Sequence, residues 1–347
     1  MAQINKSTDY FDISTWTATT SAISNLGFSP DWVWIKSTDS ANGHILFDTI
    51  RGANERLSSA SSAAESTRTD ELMSFDSNGY TLGSSGNTND TNPFNASYVG
   101  WSWRGSDSSA VSNTDGSITS TVSANTTSGF SIVSYTGTGS NATVGHGLGV
   151  APSWIVIKGR NQTEDWTTYH ISTGNTKNVI LNSTAVPDTS TTYWQDTSPT
   201  SSVFYLGSST RPNTSGGTYI AYCFAEKKGF SKFGSYTGNG NSDGTFIYTG
   251  FKPAFVIMKR TDTTGNWLLF DNNRSSSGGS NLIQQYLYPN LNDAEDSDAT
   301  RGIDFLSNGF KQRNDFSAIN ASGGSYIYMA FAEQPLVGTN NIPATAR

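Results

Sequence analysis

Gly27-Phe28-Ser29-Pro30-Asp31-Trp32-Val33-Trp34-Ile35-Lys36 decides the fold, because the chain writes this stretch three times. It returns as Gly149-Val150-Ala151-Pro152-Ser153-Trp154-Ile155-Val156-Ile157-Lys158, and again as Gly250-Phe251-Lys252-Pro253-Ala254-Phe255-Val256-Ile257-Met258-Lys259. Self-similarity of this kind reports one supersecondary unit used repeatedly. Pro30, Pro152 and Pro253 stand where the strand begins, so the missing N–H costs no ladder bond. Trp32 to Ile35 and its two counterparts are apolar on both faces, which places each strand centrally in a sheet.

Working outward, a second strand ends twelve residues after each lysine: His44 to Asp48, Trp166 to His170 and Trp267 to Asp271. A closing strand recurs at Tyr98 to Trp103, Tyr219 to Glu226 and Tyr326 to Glu333. An opening strand recurs at Phe130 to Tyr135 and Phe230 to Tyr236, with Tyr10 to Thr17 as a weaker counterpart. Three copies therefore span about 9–105, 129–227 and 229–336. The domain boundaries follow as 1–105, a Ser/Thr/Asn-rich connector at 106–128, 129–228, and 229–347 with a C-terminal tail. The connector reads as extended, with one polar strand at 117–123.

Aromatic and β-branched runs separated by Asn-Gly, Asp-Gly and Gly-Ser-Ser every ten residues or so predict an all-β chain of three tandem β-sandwich, jelly-roll-like repeats. Glu55 to Met73 is the one stretch that admits a turn or two of helix. A hairpin centred on residue 40 sets Lys36 against His44 and Trp32 against Asp48. The same register puts Lys158 opposite Trp166 and Lys259 opposite Trp267, predicting cross-strand cation–π pairs of about 0.5–1 kcal/mol.

Composition bounds the function classes. The 347 residues carry 21 Lys and Arg against 28 Asp and Glu, a net charge of −7. Only 14% are charged, so solubility rests on Ser, Thr, Asn and Gly, while 18 Phe, 15 Tyr and 9 Trp supply apolar surface to offset chain entropy. The acidic balance argues against nucleic acid and against an anionic membrane surface. Met1 to Thr20 has no signal pattern, and no apolar run approaches the ~20 residues of a membrane span, so a soluble product made in the cytosol without membrane insertion is expected. Cys223 is alone, and His44, His146 and His170 lie far apart, so no disulfide, metal or cofactor is expected.

The recurring Gly-Phe-x-Pro-x-Trp/Phe pattern, the phrase Val144-Gly145-His146-Gly147-Leu148-Gly149-Val150-Ala151-Pro152 and the ending Phe331-Ala332-Glu333-Gln334-Pro335 resemble a repeat domain common in virion structural proteins of marine tailed bacteriophages. The resemblance covers essentially the whole chain and brings no catalytic residues with it. It implies a non-enzymatic protein on the outer surface of a virion: a tail fibre or tail-associated host-contact protein, or alternatively a head decoration or cement protein. Other virion proteins and a host surface glycan are the implied partners. Two departures from a fibre stand out: there is no heptad-bearing shaft, and the first copy begins almost at Met1. The aromatic excess, beyond what three cores of this size need, predicts a homo-oligomer such as a homotrimer.

Several residues invite chemistry and also admit a plainer reading. Asp48-x-x-Arg51 and Asp271-x-x-Arg274 are equivalent, with His170 and Thr173 in their place in the second copy; an ion pair bracing a turn explains them better than catalysis. Lys36, Lys158 and Lys259 recur in all three copies and so read as scaffold. The run Asn292 to Asp298 offers hard oxygen ligands for calcium but lacks the glycine and distal Glu of a helix-loop-helix site, so a solvated loop is favoured. Glu164-Asp165 would suit a polysaccharide depolymerase, the reading from a different class. His146 among glycines suggests a tight turn rather than an oxyanion loop, and Cys223 a buried small residue. Trp16, Tyr193 and Trp194 fall outside the recurring strands; they are the candidate platform for a glycan or host contact, against a reading as copy-specific core.

Overall fold

In the computed structural model, residues 3–17, 21–83, 91–92, 96–106, 108–275, 281–335 and 337 are described. Alternation along the central strands explains why they are apolar throughout. Val33 and Ile35 point into one hydrophobic cluster, and Trp32 and Trp34 point into another. The second and third segments repeat the division, with Ile155 and Ile157 against Trp154 and Val156, and Val256 and Met258 against Phe255 and Ile257.

Each segment builds an antiparallel inner sheet of like order: opening, closing, central, fourth. In the first these are Phe11–Thr17, Ser97–Trp103, Trp32–Ser37 and Ile45–Asp48, continued by Gly52–Ser58 and Ser66–Thr67. In the second they are Phe130–Thr136, Thr218–Phe224, Trp154–Gly159 and Thr167–His170, continued by Lys177–Ile180 and Asp188–Thr189. The third has Ser231–Thr237, Ser325–Pro335, Phe251–Arg260 and Trp267–Asp271. Trp32 faces Asp48 and Lys259 faces Trp267, the register read from the hairpin spacing.

A smaller outer sheet covers one face of each inner sheet. The first has Ala22–Ile23, Gly79–Leu82 and Leu72–Asp76; the second, Ala142–Gly145 and Val203–Leu206; the third, Phe246–Tyr248, Gly309–Gln312, Ile303–Leu306 and Leu282–Ile283. The sandwich cores lie between these layers, closed by Tyr80, Phe204 and Phe310 respectively. The all-β sandwich class is therefore as expected.

The other faces of the three inner sheets meet each other. Trp32, Trp101 and Trp103, Trp154, Tyr222 and Phe224, and Phe255, Trp267 and Phe331 share one buried cluster drawn from all three segments. Trp32 stacks on Tyr222 with centroids 4.4 Å apart, Phe11 on Phe331 at 5.0 Å, and Trp154 on Trp267 at 5.9 Å. Each stack joins a different pair of segments, and such pairs add about 0.5–1.5 kcal/mol beyond their buried area. The aromatic surplus thus fills a fourth core inside one chain, and it no longer argues for a homo-oligomer.

Two further expectations change. The connector is docked: Val111–Asn113 and Ser120–Asn125 extend the second inner sheet beyond its opening strand, with Val122 against Val133. Val122 is buried in the second sandwich core, and Ser120 Oγ donates to the Gly145 carbonyl at 2.9 Å, so the strand gains both a packed face and a satisfied hydroxyl. Glu55 to Met73 is not helical. It forms parts of the strands Gly52–Ser58, Ser66–Thr67 and Leu72–Asp76, because Glu55 and Thr67 pair across strands and the buried Glu71 carboxylate takes Arg56. Short helical turns fall instead at Thr191–Trp194, Thr210–Asn213 and Ser317–Asn320, and no helix among the described residues is long and apolar enough to cross a membrane.

Candidate functional site

The recurring lysines are wholly buried, and Lys158 and Lys259 act across the boundaries between segments. Lys158 Nζ donates to the carbonyls of Gly159 at 2.9 Å and, in the first segment, Ser62 at 3.1 Å. Lys259 Nζ donates to Gly265 at 2.8 Å and, in the second segment, Thr184 at 3.1 Å. Lys36 Nζ donates to Ser37 at 2.5 Å and Ser40 at 3.0 Å. The expected cation–π pairs are not made, because a buried ammonium needs strong acceptors for its three donors. The indoles turn elsewhere: Trp166 Nε1 donates to Ser58 O of the first segment at 2.8 Å, and Trp267 Nε1 to Ile180 O of the second at 3.0 Å. Burial lowers the pKa of Lys158 and of Lys259 to about 8, in Lys158 against the pull of Glu164 and Asp165.

The end of each fourth strand meets the closing strand of a neighbour. Arg51 Nε lies 2.5 Å from Asp48 Oδ2 with both side chains inaccessible, and Tyr222 Oη of the second segment donates to the same oxygen at 2.8 Å. Burial disfavours the Arg51 charge, but Asp48, Tyr222 and Glu65 outweigh it and raise its pKa. Arg274 Nε lies 2.6 Å from Asp271 Oδ2, which also accepts from Trp101 Nε1 of the first segment at 3.1 Å. In the second segment His170 Nε2 sits 3.1 Å from the Tyr328 carbonyl of the third, and burial pushes its pKa down to about 4. The contacts run cyclically, second onto first, third onto second and first onto third. The ion pair also braces the turn, with Asp48 Oδ1 accepting from the Ile50 and Arg51 amides at 3.1 and 2.9 Å. The junction role was not visible in sequence.

The other candidate groups are engaged locally. Glu295 pairs with Arg274, Asp296 accepts from Tyr286 Oη at 2.5 Å, and Asp298 accepts from the Thr300 amide at 2.8 Å. Asp165 pairs with Arg211 at 3.1 Å, and Glu164 accepts from Thr210 Oγ1 at 3.4 Å. His146 is buried, with Nε2 at 3.1 Å from Thr200 O and Nδ1 accepting from the Leu148 amide at 3.2 Å. Gly147 and Gly149 around it have φ of +70° and +69°, a turn that suits residues without a Cβ. Cys223 is buried, and desolvation raises its thiol pKa.

The glycan platform expected at Trp16, Tyr193 and Trp194 is overturned. Their exposures are 7%, 6% and 2%. Trp16 stacks on Tyr98 at 5.5 Å inside the first sandwich, while Trp194 packs edge-on to Tyr169 and donates from Nε1 to Lys177 O at 3.0 Å. Tyr193 Oη donates to Asp188 Oδ2 at 3.1 Å. Trp16 in fact lies in the opening strand and faces Tyr98 as Tyr135 faces Tyr219 and Tyr236 faces Tyr326, a stacked pair common to the three segments, whereas Tyr193 and Trp194 stand on the turn Thr191–Trp194 and are buried in the second core.

Among the described residues the exposed aromatic rings lie on the third outer sheet. Phe246 is 43% and Tyr248 58% exposed, two apart on an edge strand and so on one face. Between them Ile247 is buried opposite Phe310, as Ile23 is opposite Tyr80 and Val144 opposite Phe204 in the other outer sheets. The positions flanking those two residues hold Ala22 and Ser24, and Thr143 and Gly145. The scaffold therefore needs the buried aliphatic residue and does not need the aromatics beside it. Phe246 lies opposite Lys311, which pairs with Asp243 at 2.5 Å; Asp304 lies on Lys311's other side and pairs with Arg313 at 3.3 Å. A Cβ on Gly309 would come 2.1 Å from Ile247 O, so glycine permits the close strand approach opposite Tyr248. Two open ring faces beside paired charges can stack on a flat apolar surface while offering hydrogen bonds at its rim. Comparing the three copies position by position around the buried aliphatic residue is the sequence signal that finds this pair.

A family model described as a domain of unknown function (DUF7483) matches residues 6–335. No curated protein matches the chain, and no solved structure does.

Proposed function

The chain belongs to the DUF7483 family, a domain of unknown function, and on the resemblance of its recurring motifs we propose that it is a non-enzymatic structural protein on the outer surface of a tailed-phage virion. One sandwich unit, used three times in tandem, serves as a tail-associated host-contact protein, and Phe246 with Tyr248 forms the contacting face. The observation that carries this reading is the division of labour among residues. Those that recur lock three segments around a shared core, and among the described residues the exposed aromatic rings belong to the third segment. Electron cryomicroscopy of intact particles tests it. Density for this fold at the tail supports the reading, and density repeated over the head shell supports a decoration role instead.

The exposed pair also favours a second reading, a carbohydrate-binding module, since sugar rings stack on aromatic faces with little need of charge. Host envelope polysaccharide should be retained by the protein, and retention should be lost in the Phe246→Ala, Tyr248→Ala double variant. Release of reducing sugar that stops in Glu164→Gln or Asp165→Asn would instead mark a depolymerase.

A further inference from the structure

The three opening strands hold the same register on their closing strands, with Ile13 facing Trp101, Ile132 facing Tyr222 and Phe233 facing Met329. Their outer sides differ. In the second segment Ser120–Asn125 pairs along the opening strand, with Ser123 opposite Ile132 and Thr121 opposite Ser134. In the first and third the opening strand is the last of its sheet. An antiparallel strand turns the N–H and C=O of alternate residues to the same side. In Ser231–Thr237 that outward set is identified by its ends: the Ser231 amide donates to Lys227 O at 3.0 Å, and the Thr237 carbonyl accepts from Thr245 Oγ1 at 2.9 Å. Phe233 and Ser235 share this parity. Among the described residues nothing pairs with their outward amides and carbonyls. The first segment is different again, because Asp12 Oδ1 takes the Ile13 amide at 2.8 Å and Asn273 Nδ2 donates to the Ile13 carbonyl at 2.5 Å. Lys232, a residue type that discourages edge pairing, is neutralised by Glu226 at 2.7 Å.

We propose that the Ser231–Thr237 edge is a strand-addition site for an extended segment of another protein, built like residues 120–125. The occupied second edge shows the chemistry it takes: Ser and Thr alternating with Val and Ala, Val122 and Ala124 turned toward the sandwich core, and no charge along the strand. Main-chain hydrogen bonds would supply affinity, and the alternation would supply register. This inference does not depend on the virion reading.

The test adds a synthetic peptide with the sequence Ser117 to Thr126 to the full chain and follows amide exchange residue by residue. The Phe233 and Ser235 amides should exchange about tenfold more slowly at saturating peptide. A scrambled peptide should have no effect, and a peptide with proline in place of Ser123, whose amide faces the opening strand in the occupied second edge, should bind more weakly. Slow exchange at both amides before any peptide is added would overturn the proposal, as would unchanged exchange at saturation or protection confined to residues 130–136. Ser235→Pro removes one outward donor and should abolish the effect. If that variant does not fold, the wild-type exchange data decide alone.

Discussion

The first and second segments solve one packing problem with different chemistry. Where a fourth strand ends against a neighbour's closing strand, the first buries the Asp48–Arg51 ion pair and completes it with the Tyr222 hydroxyl. The second places neutral His170 there and hydrogen-bonds it to the Tyr328 carbonyl. The shared requirement is a polar group able to satisfy the facing strand, and neither charge nor residue type is conserved between the two. A close acid–base contact would suggest reactivity only if a substrate could reach it, and both side chains here are inaccessible.

Removing one partner should break this comparison most severely. Arg51→Met leaves Asp48 buried without its cation and should lower stability by about 3–5 kcal/mol in chemical denaturation. His170→Gln keeps a neutral hydrogen-bonding group and should cost about 1–2 kcal/mol in the same measurement. Equal losses at the two sites would show that charge is irrelevant at the junction.

Acid should separate the two sites further. The folded pKa of His170, about 4, lies below the ordinary imidazole value of 6.5. As pH falls through 6.5 the unfolded chain binds a proton that the folded chain excludes. The His170 contribution is therefore complete above that pH and declines by about 3 kcal/mol toward pH 4. His44, also depressed by burial and by the Lys36 and Arg274 charges, acts in the same direction. Urea midpoints at steps from pH 7 to 4 should fall in the wild type and fall less in His170→Gln.

The smallest effect on stability belongs to the exposed face. Phe246→Ser with Tyr248→Ser should change the unfolding free energy by no more than about 0.5 kcal/mol per site. A large loss would mean the rings are structural, which would remove the basis for calling the face a contact surface.

Much of the fold is legible in the letters. Strand positions, the all-β class and the pairing of Trp32 with Asp48 follow from spacing, because strand period and hairpin length are local properties. The candidate face is legible only in part. Phe246 and Tyr248 can be singled out by comparing copies, but whether a ring is open to solvent depends on what packs over it, as Trp16 beneath Tyr98 illustrates. In the connector the sequence shows one polar strand, which forms at Ser120–Asn125, but its docking is not legible because only the edge of Phe130–Thr136 makes it favourable.

What the sequence by itself determined is the all-β class and the identity of the recurring central, closing and opening strands. The tertiary structure decided that three inner sheets turn their aromatic faces to one another, so that buried lysines and ion pairs reach across segments to close a common core. Periodicity records which side of a strand is apolar. Which surface covers that side is settled by the mutual fit of segments distant in the chain, and no local pattern encodes it.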